Sequence, residues 1–235
     1  MVKKSPSENS IPNHIGLILD GNRRWAKEHH LTVAEGHREG YQNLKTIAQA
    51  AIKHGVRYVS AYVFSTENWN REKQEVKDIM KLLKWVLSHE IKKMHKDNIR
   101  VRVVGSKLKL GAALVTAIHD AEKLTENNTR GTLLLCLDYG GQQEIVDATK
   151  QIIESGVPAE QVTQELIEAN LYAPDVPPPD LIIRTSGEQR LSNFLTWQSS
   201  YSELMFTKKK WPDFKEKDLN SALRKFKTIK RRFGK

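Results

Sequence analysis

One cysteine, Cys136, occurs in 235 residues. An intrachain disulfide is therefore excluded, and no zinc site can be built on cysteine ligands. Cys136 lies inside the apolar run Thr132–Leu137 and reads as a small buried hydrophobe. Long apolar runs are missing too: no segment approaches the ~20 consecutive apolar residues of a membrane-spanning helix. Met1 to Asn13 is polar and shows no signal-peptide core. These residues, 1–13, read as a flexible N-terminus ahead of a single domain over 14–235. The absence of disulfides fits a reducing compartment, so a soluble cytoplasmic protein is expected. Several site motifs are lacking as well. There is no G-x-x-x-x-G-K-[ST] loop, no G-x-G-x-x-G after the first strand, no D-D-x-x-D pattern and no His/Cys metal cluster. His29 and His30 are adjacent, cannot share one face of an element, and read as surface or loop residues.

What is present is unevenly placed charge. The formal net charge is +10. From Thr207 to Lys235 there are 12 basic and 3 acidic residues, a net of +9, against +1 for everything before. A uniformly basic coat for nucleic acid is thus disfavoured, and no nucleic-acid partner is expected. Asp218–Phe233 has helical apolar spacing at Leu219, Leu223, Phe226 and Ile229, which predicts a packed helix rather than a loose basic arm.

Short apolar runs predict strands at Ile15–Leu19, Tyr58–Phe64, Ile99–Val104, Thr132–Leu137, Leu181–Ile183 and Glu203–Phe206. Most are continuous rather than alternating, as in strands buried on both faces of a parallel sheet. Helical periods lie between them at Gly40–His54, Glu75–Lys96, Leu108–Leu124 and Glu144–Glu154. The prolines from Pro174 to Pro179 mark a loop. The expected fold is α/β: a single domain with a central, mostly parallel six-stranded sheet flanked by helices. The stripe from Val76 to Met94 either packs on the sheet or lines an apolar channel beside it, and periodicity does not separate the two.

Polar clusters follow four strands: Asp20–Lys27, Ser65–Arg71, Asp138–Gly141 and Arg184–Ser192. In a parallel sheet the carboxyl ends of the strands share one edge, where ligands bind. The clusters therefore converge on one mouth. Gly21 permits close backbone approach to a ligand. Arg23, Arg24, Arg71, Arg184 and Arg190 offer forked donors for phosphate oxygens. Asp20 would repel phosphate unless a hard cation such as magnesium lay between them. It could also serve as a helix N-cap, but the flanking arginines favour the metal reading. The residues alone thus indicate a magnesium-assisted diphosphate site, beside an apolar channel if the stripe forms one.

Together these segments resemble the cis-prenyltransferase family of the undecaprenyl-diphosphate-synthase type. The matching runs are His14–Lys27, Gly36-His37, Phe64–Arg71, Asp138–Gly141, Asp180–Glu188, Arg190–Leu195, Trp197-Gln198, Glu203-Leu204 and Trp211–Phe214, in family order over about residues 14 to 234. The resemblance implies sequential condensation of isopentenyl diphosphate onto an allylic diphosphate such as farnesyl diphosphate. The product would be a Z-polyprenyl diphosphate, a lipid-carrier precursor. It implies magnesium held by Asp20 and Glu203, with Asp20 as the essential carboxylate. Gly21, Asn22, Arg23 and Arg24 would cradle the allylic diphosphate, assisted by His37, Ser65 and Arg71. Asn68, with Ser65, would guide the proton that is lost. Arg184, Arg190, Leu191 and Ser192 would hold isopentenyl diphosphate. Trp25, Thr66, Glu67 and Trp69 would support these groups. A homodimer is implied, and peripheral contact with a membrane is expected from the basic end. The alternative is a non-catalytic scaffold subunit of a heteromeric prenyltransferase. Such relatives tend to lose the first-strand aspartate or the Ser-Thr-Glu-Asn run, and both are intact here.

Two residues depart from the family pattern. Val33 stands where the family usually has arginine, four residues before His37, and Val63 stands at a channel position often held by alanine. The ending Arg232-Phe-Gly234 resembles an R-x-G tail that completes a partner subunit's diphosphate site in some members.

Overall fold

The computed structural model describes residues 11–231. The first ten residues and the Arg232-Phe-Gly234 ending lie outside the described residues. Six strands form one sheet: β1 (His14–Ile18), β2 (Tyr58–Ser65), β3 (Ile99–Val104), β4 (Gly131–Tyr139), β5 (Leu181–Arg184) and β6 (Glu203–Phe206). Their order is β3-β4-β2-β1-β5-β6, and every neighbouring pair is parallel. The expected sheet is therefore present, and it is wholly parallel. Its central strands are buried on both faces: Ile15, Leu17, Val59 and Ala61 are solvent-free. Continuous apolar runs satisfy that environment, whereas alternating ones would bury polar groups.

Alternate residues of β4 feed different cores. Leu133, Leu135 and Leu137 join a large cluster, and Leu134, Cys136 and Tyr139 a smaller, aromatic one around Phe194. Cys136 is solvent-free, the small buried hydrophobe expected, and burial pushes its thiol well above its ordinary value. β4 runs two residues past the predicted end, and Asp138 takes φ 50° before Tyr139 pairs with Ser65.

The helices are α1 (Asn22–Glu28), α2 (Val33–Lys53), α3 (Lys73–Trp85), α4 (Ile91–Lys96), α5 (Ala112–Thr125), α6 (Gly141–Glu154), α7 (Gln164–Ala169) and α8 (Glu216–Lys227). α2 starts seven residues earlier than its apolar period suggests. A capping box fixes that start: Thr32 Oγ accepts from the Glu35 N–H, and the Glu35 carboxylate accepts from the Thr32 N–H at 2.8 Å. Gly36 then lets α2 cross α1 closely, since a Cβ there would sit 2.6 Å from the Asn22 carbonyl oxygen. The predicted helix over Glu75–Lys96 is broken by a π-turn at Val86–Glu90 between α3 and α4.

The basic end is packed, as its apolar spacing predicts, although α8 stops at Lys227. Leu219, Leu223 and Phe226 are buried. Burial of each such side chain contributes about 1.5–3 kcal/mol towards docking the helix. Trp211 precedes it, donating from Nε1 to the Gly40 carbonyl at 2.8 Å. The amide of Asn43 returns two bonds, to the carbonyls of Trp211 and Phe214. At the other end of the chain, the Asn13 N–H donates to Asp180, and its carbonyl accepts from Arg57 and Tyr58.

Candidate active site

The parallel register brings Ile18 level with Tyr62 on one side and Arg184 on the other. The segments that follow β1, β2, β4 and β5 thus meet at one edge, as their sequence positions predict. Asp20 lies at the centre. Its Oδ2 accepts from Arg184 Nη2 at 3.1 Å and its Oδ1 from Arg24 Nη2 at 3.2 Å. Arg184 is buried and also donates to Ser192 Oγ at 2.8 Å and to the Arg190 carbonyl. Gly21 caps α1 at φ 109°, and a Cβ there would meet Lys210 and Ser186 at 2.9 Å. Only glycine takes that conformation without strain. Ser186, Ser192 and Asn193 also have positive φ. Such clustering of unfavourable backbone is common at functional sites.

A second group gathers on Glu75, at the start of α3. Its carboxylate accepts from Arg71 Nη1 at 2.9 Å, contacts His37 Nε2 at 3.3 Å and lies 3.6 Å from Arg23. Burial acts to raise the Glu75 carboxyl, but Arg71, His37 and Arg23 together hold it below its ordinary value. Burial also lowers the His37 imidazole, with Glu75 opposing. Next to this group, residues Thr66–Asn70 form a single 3-10 turn. The Ser65 N–H donates to Asn68 Oδ1 at 3.2 Å, which fixes the Asn68 amide at the cavity. Trp69 anchors the turn from below through Nε1, donating to Asp138 at 2.6 Å. Glu67 accepts from the Asn193 amide at 2.8 Å, linking the turn to the loop after β5. Burial tends to raise the Glu67 carboxyl, but that hydrogen bond and those from its own N–H, Ser65 and Thr66 leave it below its ordinary value.

These groups rim a cavity of about 590 Å³. Asp20, Asn22, His37, Ser65, Glu67, Asn68, Arg71, Arg184 and Ser192 all line it. Behind them the wall turns apolar, through Leu44, Val63, Ile79, Leu83, Leu87, Ile91, Met94, Val101 and Leu133. The stripe read from the sequence therefore does both jobs, packing on the sheet and lining a channel.

Other predicted residues stand outside that wall. Arg23, Arg24 and Arg190 are exposed around the rim, with Arg24 and Arg190 both paired to Glu188. Trp25 stacks on His29 and donates to Asp213 at 2.8 Å. Thr66 lies against Gly140, and Leu191 packs on the smaller core. Glu203 is not brought to Asp20. It opens β6 beside Leu181, at the amino edge of the sheet, while Asp20 follows the carboxyl end of β1. No group of three metal-ligating side chains occurs among the described residues. The residues present fit a magnesium ion in one form: a single carboxylate, Asp20, completed by phosphate oxygens, which is a common mode for this cation.

Glu75, Asn193 and Tyr62 belong to the site but were not singled out in the sequence. Tyr62 donates its hydroxyl towards the Ser192 carbonyl at 3.2 Å. Glu75 carried one local signal, its i,i+4 spacing from Arg71. Asn193 lies within the Arg190–Leu195 run.

An all-parallel α/β sheet whose carboxyl edge opens through arginines into an apolar channel suits a ligand with a phosphate at one end and an apolar body. The family description "Putative undecaprenyl diphosphate synthase" matches residues 18–234. A Pasteurella multocida protein named ditrans,polycis-undecaprenyl-diphosphate synthase is 42% identical over 238 aligned positions, covering 100% of this chain and 98% of that one. Lavandulyl diphosphate synthase from Lavandula x intermedia, solved with dimethylallyl diphosphate, superposes with a TM-score of 0.92 at 36% identity, covering 96% of this chain and 99% of that one. A probable undecaprenyl diphosphate synthase from Campylobacter jejuni gives 0.82 at 29%, covering 97% and 100%. The chain belongs to the undecaprenyl diphosphate synthase family of prenyltransferases, and it is a cis-prenyltransferase enzyme.

Proposed function

We propose that the enzyme condenses isopentenyl diphosphate repeatedly onto an allylic diphosphate such as farnesyl diphosphate, giving a Z-polyprenyl diphosphate that serves as a lipid-carrier precursor. The observation that carries this reading is the continuity of one cavity. Its mouth holds Asp20, Arg71 and Arg184, and its body is lined by leucine, isoleucine, valine and methionine. A substrate that is a diphosphate at one end and a growing hydrocarbon at the other matches both halves.

In each cycle the allylic C1–O bond breaks and diphosphate leaves. The terminal alkene carbon of isopentenyl diphosphate bonds to C1, and one proton is lost from its C2. Negative charge grows on the departing oxygens, where preorganised cationic donors stabilise it most effectively. Arg71, His37 and the backbone of Gly21 and Asn22 are assigned to the allylic diphosphate, with Arg23 and Arg24 at the rim. Arg184, Arg190 and Ser192 are assigned to the isopentenyl diphosphate. Holding two polyanions in reacting geometry contributes up to ~7–11 kcal/mol in the best cases. Asn68, fixed by Ser65, stands at the cavity to guide the released proton. Asp20 would hold magnesium, whose charge would offset that of the diphosphates when bound.

The sheet edge supports assembly as a homodimer. β6 ends the sheet, and Leu204 and Phe206 on it are 43% and 36% exposed. An apolar edge strand of this kind calls for cover. No helix among the described residues is long and apolar enough to cross a membrane. Exposed lysines on α8, such as Lys217, Lys225 and Lys227, suit peripheral contact with an anionic surface from the cytoplasmic side.

The test is incubation of purified enzyme with labelled isopentenyl diphosphate, magnesium and a panel of allylic diphosphates. Butanol-extractable label that depends on both the allylic primer and magnesium is the expected result. Absence of such product with every primer would refute the reading.

A further inference from the structure

Asp138 is a buried carboxylate to which the reaction assigns no task. It is 1% exposed, and no basic side chain pairs with it among the described residues. A carboxylate taken out of water is costly unless hydrogen bonds compensate it. Two neutral donors do so here. Oδ1 accepts from Trp69 Nε1 at 2.6 Å, and Oδ2 accepts from Ser106 Oγ at 2.7 Å. The residue also has φ 50°, a left-handed backbone that few side chains adopt. Strain of this kind persists only where the surrounding structure over-determines it.

What it holds is the turn between Ser65 and Arg71. β2 reaches that turn irregularly, because its pairing with β4 shifts register between Tyr62 and Phe64 and again between Phe64 and Ser65. The ladder thus loosens its grip just before Thr66–Asn70, a short 3-10 segment with weak bonds of its own. Asp138, Tyr139 and Gly140 supply the missing support. Asp138 holds the Trp69 indole, Tyr139 pairs with Ser65, and Gly140 lets Thr66 close in, since a Cβ there would lie 2.5 Å from Thr66 Oγ1. Asp138 is itself fixed from its far side. Ser106 Oγ donates to its carboxylate, and the Ser106 N–H donates to its carbonyl at 3.3 Å. Gly105 permits that approach, because a Cβ on it would run into the Leu137 carbonyl oxygen.

Resting on the condensation proposed above, we infer that Asp138 is a positioning residue for the reaction: through Trp69 it sets where Asn68 and Arg71 stand at the mouth. Both residues lie within two positions of Trp69, and both line the cavity. Trp69 packs instead against Phe64 and the main core, so the carboxylate acts at one remove from the substrates. The other subsite is built separately. Arg184 and Ser192 are joined to each other, to Asp20 and, through the Ser192 carbonyl, to Tyr62. Loss of the Asp138–Trp69 bond therefore falls on the allylic side and on turnover, and it spares the binding of isopentenyl diphosphate.

The test uses two variants that both suit the left-handed backbone, Asp138→Gly and Asp138→Asn. They differ chiefly in whether the indole keeps an acceptor. Asp138→Gly is expected to lower kcat/KM for farnesyl diphosphate at least tenfold, since small misplacements of positioned groups are costly. The Michaelis constant for isopentenyl diphosphate is expected to stay within twofold. In Asp138→Asn the amide oxygen can accept from the indole while Ser106 Oγ turns to accept from the amide N–H. That variant is expected to recover kcat/KM to within threefold of wild type. In proton–nitrogen correlation spectra the Trp69 indole signal, identified by its loss in Trp69→Phe, is expected to move further upfield in the glycine variant than in the asparagine one. Wild-type kcat/KM in Asp138→Gly would overturn the inference, as would equal losses in the two variants or a parallel rise in both Michaelis constants. If Asp138→Gly does not melt cooperatively, Trp69→Phe removes the donor instead and is held to the same split between the two substrates. A wild-type enzyme that forms no product with any primer would instead refute the condensation, while the indole signal would still report the contact, so the two failures are distinguishable.

Discussion

Arg184 Nη2 sits 3.1 Å from Asp20 Oδ2, joining the carboxyl ends of two strands that are neighbours in the sheet but 164 residues apart in the chain. The arginine is 4% exposed, and the carboxylate is the more open partner. This asymmetry predicts different behaviour on substitution. Arg184→Gln deprives a buried cluster of its charge and is expected to raise the Michaelis constant for isopentenyl diphosphate and to lower the melting temperature. Asp20→Asn keeps shape, volume and an acceptor oxygen but leaves the buried Arg184 without its counter-charge, so it is expected to lower the melting temperature by a smaller margin. It should cost on the order of 10²–10³ in turnover, as loss of one electrostatic contributor typically does. Steady-state kinetics with paired thermal melts check both, and an Asp20→Asn enzyme of wild-type turnover would contradict the assignment.

Glu75 draws Arg71, His37 and Arg23 together at the rim. Its negative charge acts to raise the His37 imidazole, against the larger lowering by burial. Glu75→Gln removes that support, so the His37 titration is expected to move further below its ordinary 6.5. The freed Arg71 loses its orientation, and the allylic Michaelis constant is expected to rise severalfold. A charge-assisted hydrogen bond is worth about 1.5–3 kcal/mol, which bounds the effect. NMR titration of the imidazole, compared between the two proteins, gives the sign directly. An upward shift would show that the carboxylate does not govern this group.

Asp20, Ser65, Asn68, Arg71 and Arg184 could be read from the sequence because each follows an apolar run, and parallel topology sends all such positions to one edge. The strands themselves were legible for the same reason: burial on both faces leaves continuous runs. Glu75 was not, since its meeting with His37 joins residues 38 apart on two helices, and no local period records that. The first turns of α2 were hidden by Gly36 and Gly40, which weaken the helical pattern but are required where α1 crosses. The π-turn left no trace either, because Leu83, Leu87 and Ile91 keep a helical apolar period through it. Within one chain Glu203 does not join Asp20, for a topological reason. The run Glu203–Phe206 forms β6, and its first residue lies at the edge opposite Asp20.

His14 offers a prediction away from the site. Its ring is buried between strands, with Nδ1 donating to the Pro177 carbonyl at 2.6 Å and Nε2 accepting from Ser60 Oγ at 2.8 Å. Burial lowers its pKa from 6.5 to about 4, outweighing the Pro177 bond and the Asp180 charge. The unfolded chain therefore binds a proton that the folded one refuses. Stability is full above about pH 6.5 and falls as pH drops towards 4. The loss from this residue is roughly 3 kcal/mol, at about 1.4 kcal/mol per unit. His14→Gln can keep both hydrogen bonds but cannot titrate. Urea denaturation between pH 4 and 7 is expected to show a shallower slope for the variant, with His37 supplying some of what remains. Identical slopes would reject the account.

Val33 opens α2 and is 37% exposed, in a groove of about 570 Å³ shared with Arg23, His37 and Glu75. Family members usually carry arginine there. Neither nearby guanidinium is held free to compensate: Arg23 lies against Glu75, and Arg38 stacks over Trp85 at 5.8 Å. Restoring the guanidinium by Val33→Arg adds one forked donor to the rim without displacing a buried group. Allylic affinity is expected to rise about tenfold, consistent with one new charge-assisted hydrogen bond at ~1.5 kcal/mol. The Michaelis constant for isopentenyl diphosphate should stay within twofold, because Arg184 and Ser192 lie across the mouth. Titration with the two substrates separately distinguishes the outcomes. An unchanged allylic constant would mean that Arg23 leaves Glu75 for the diphosphate and already fills the role.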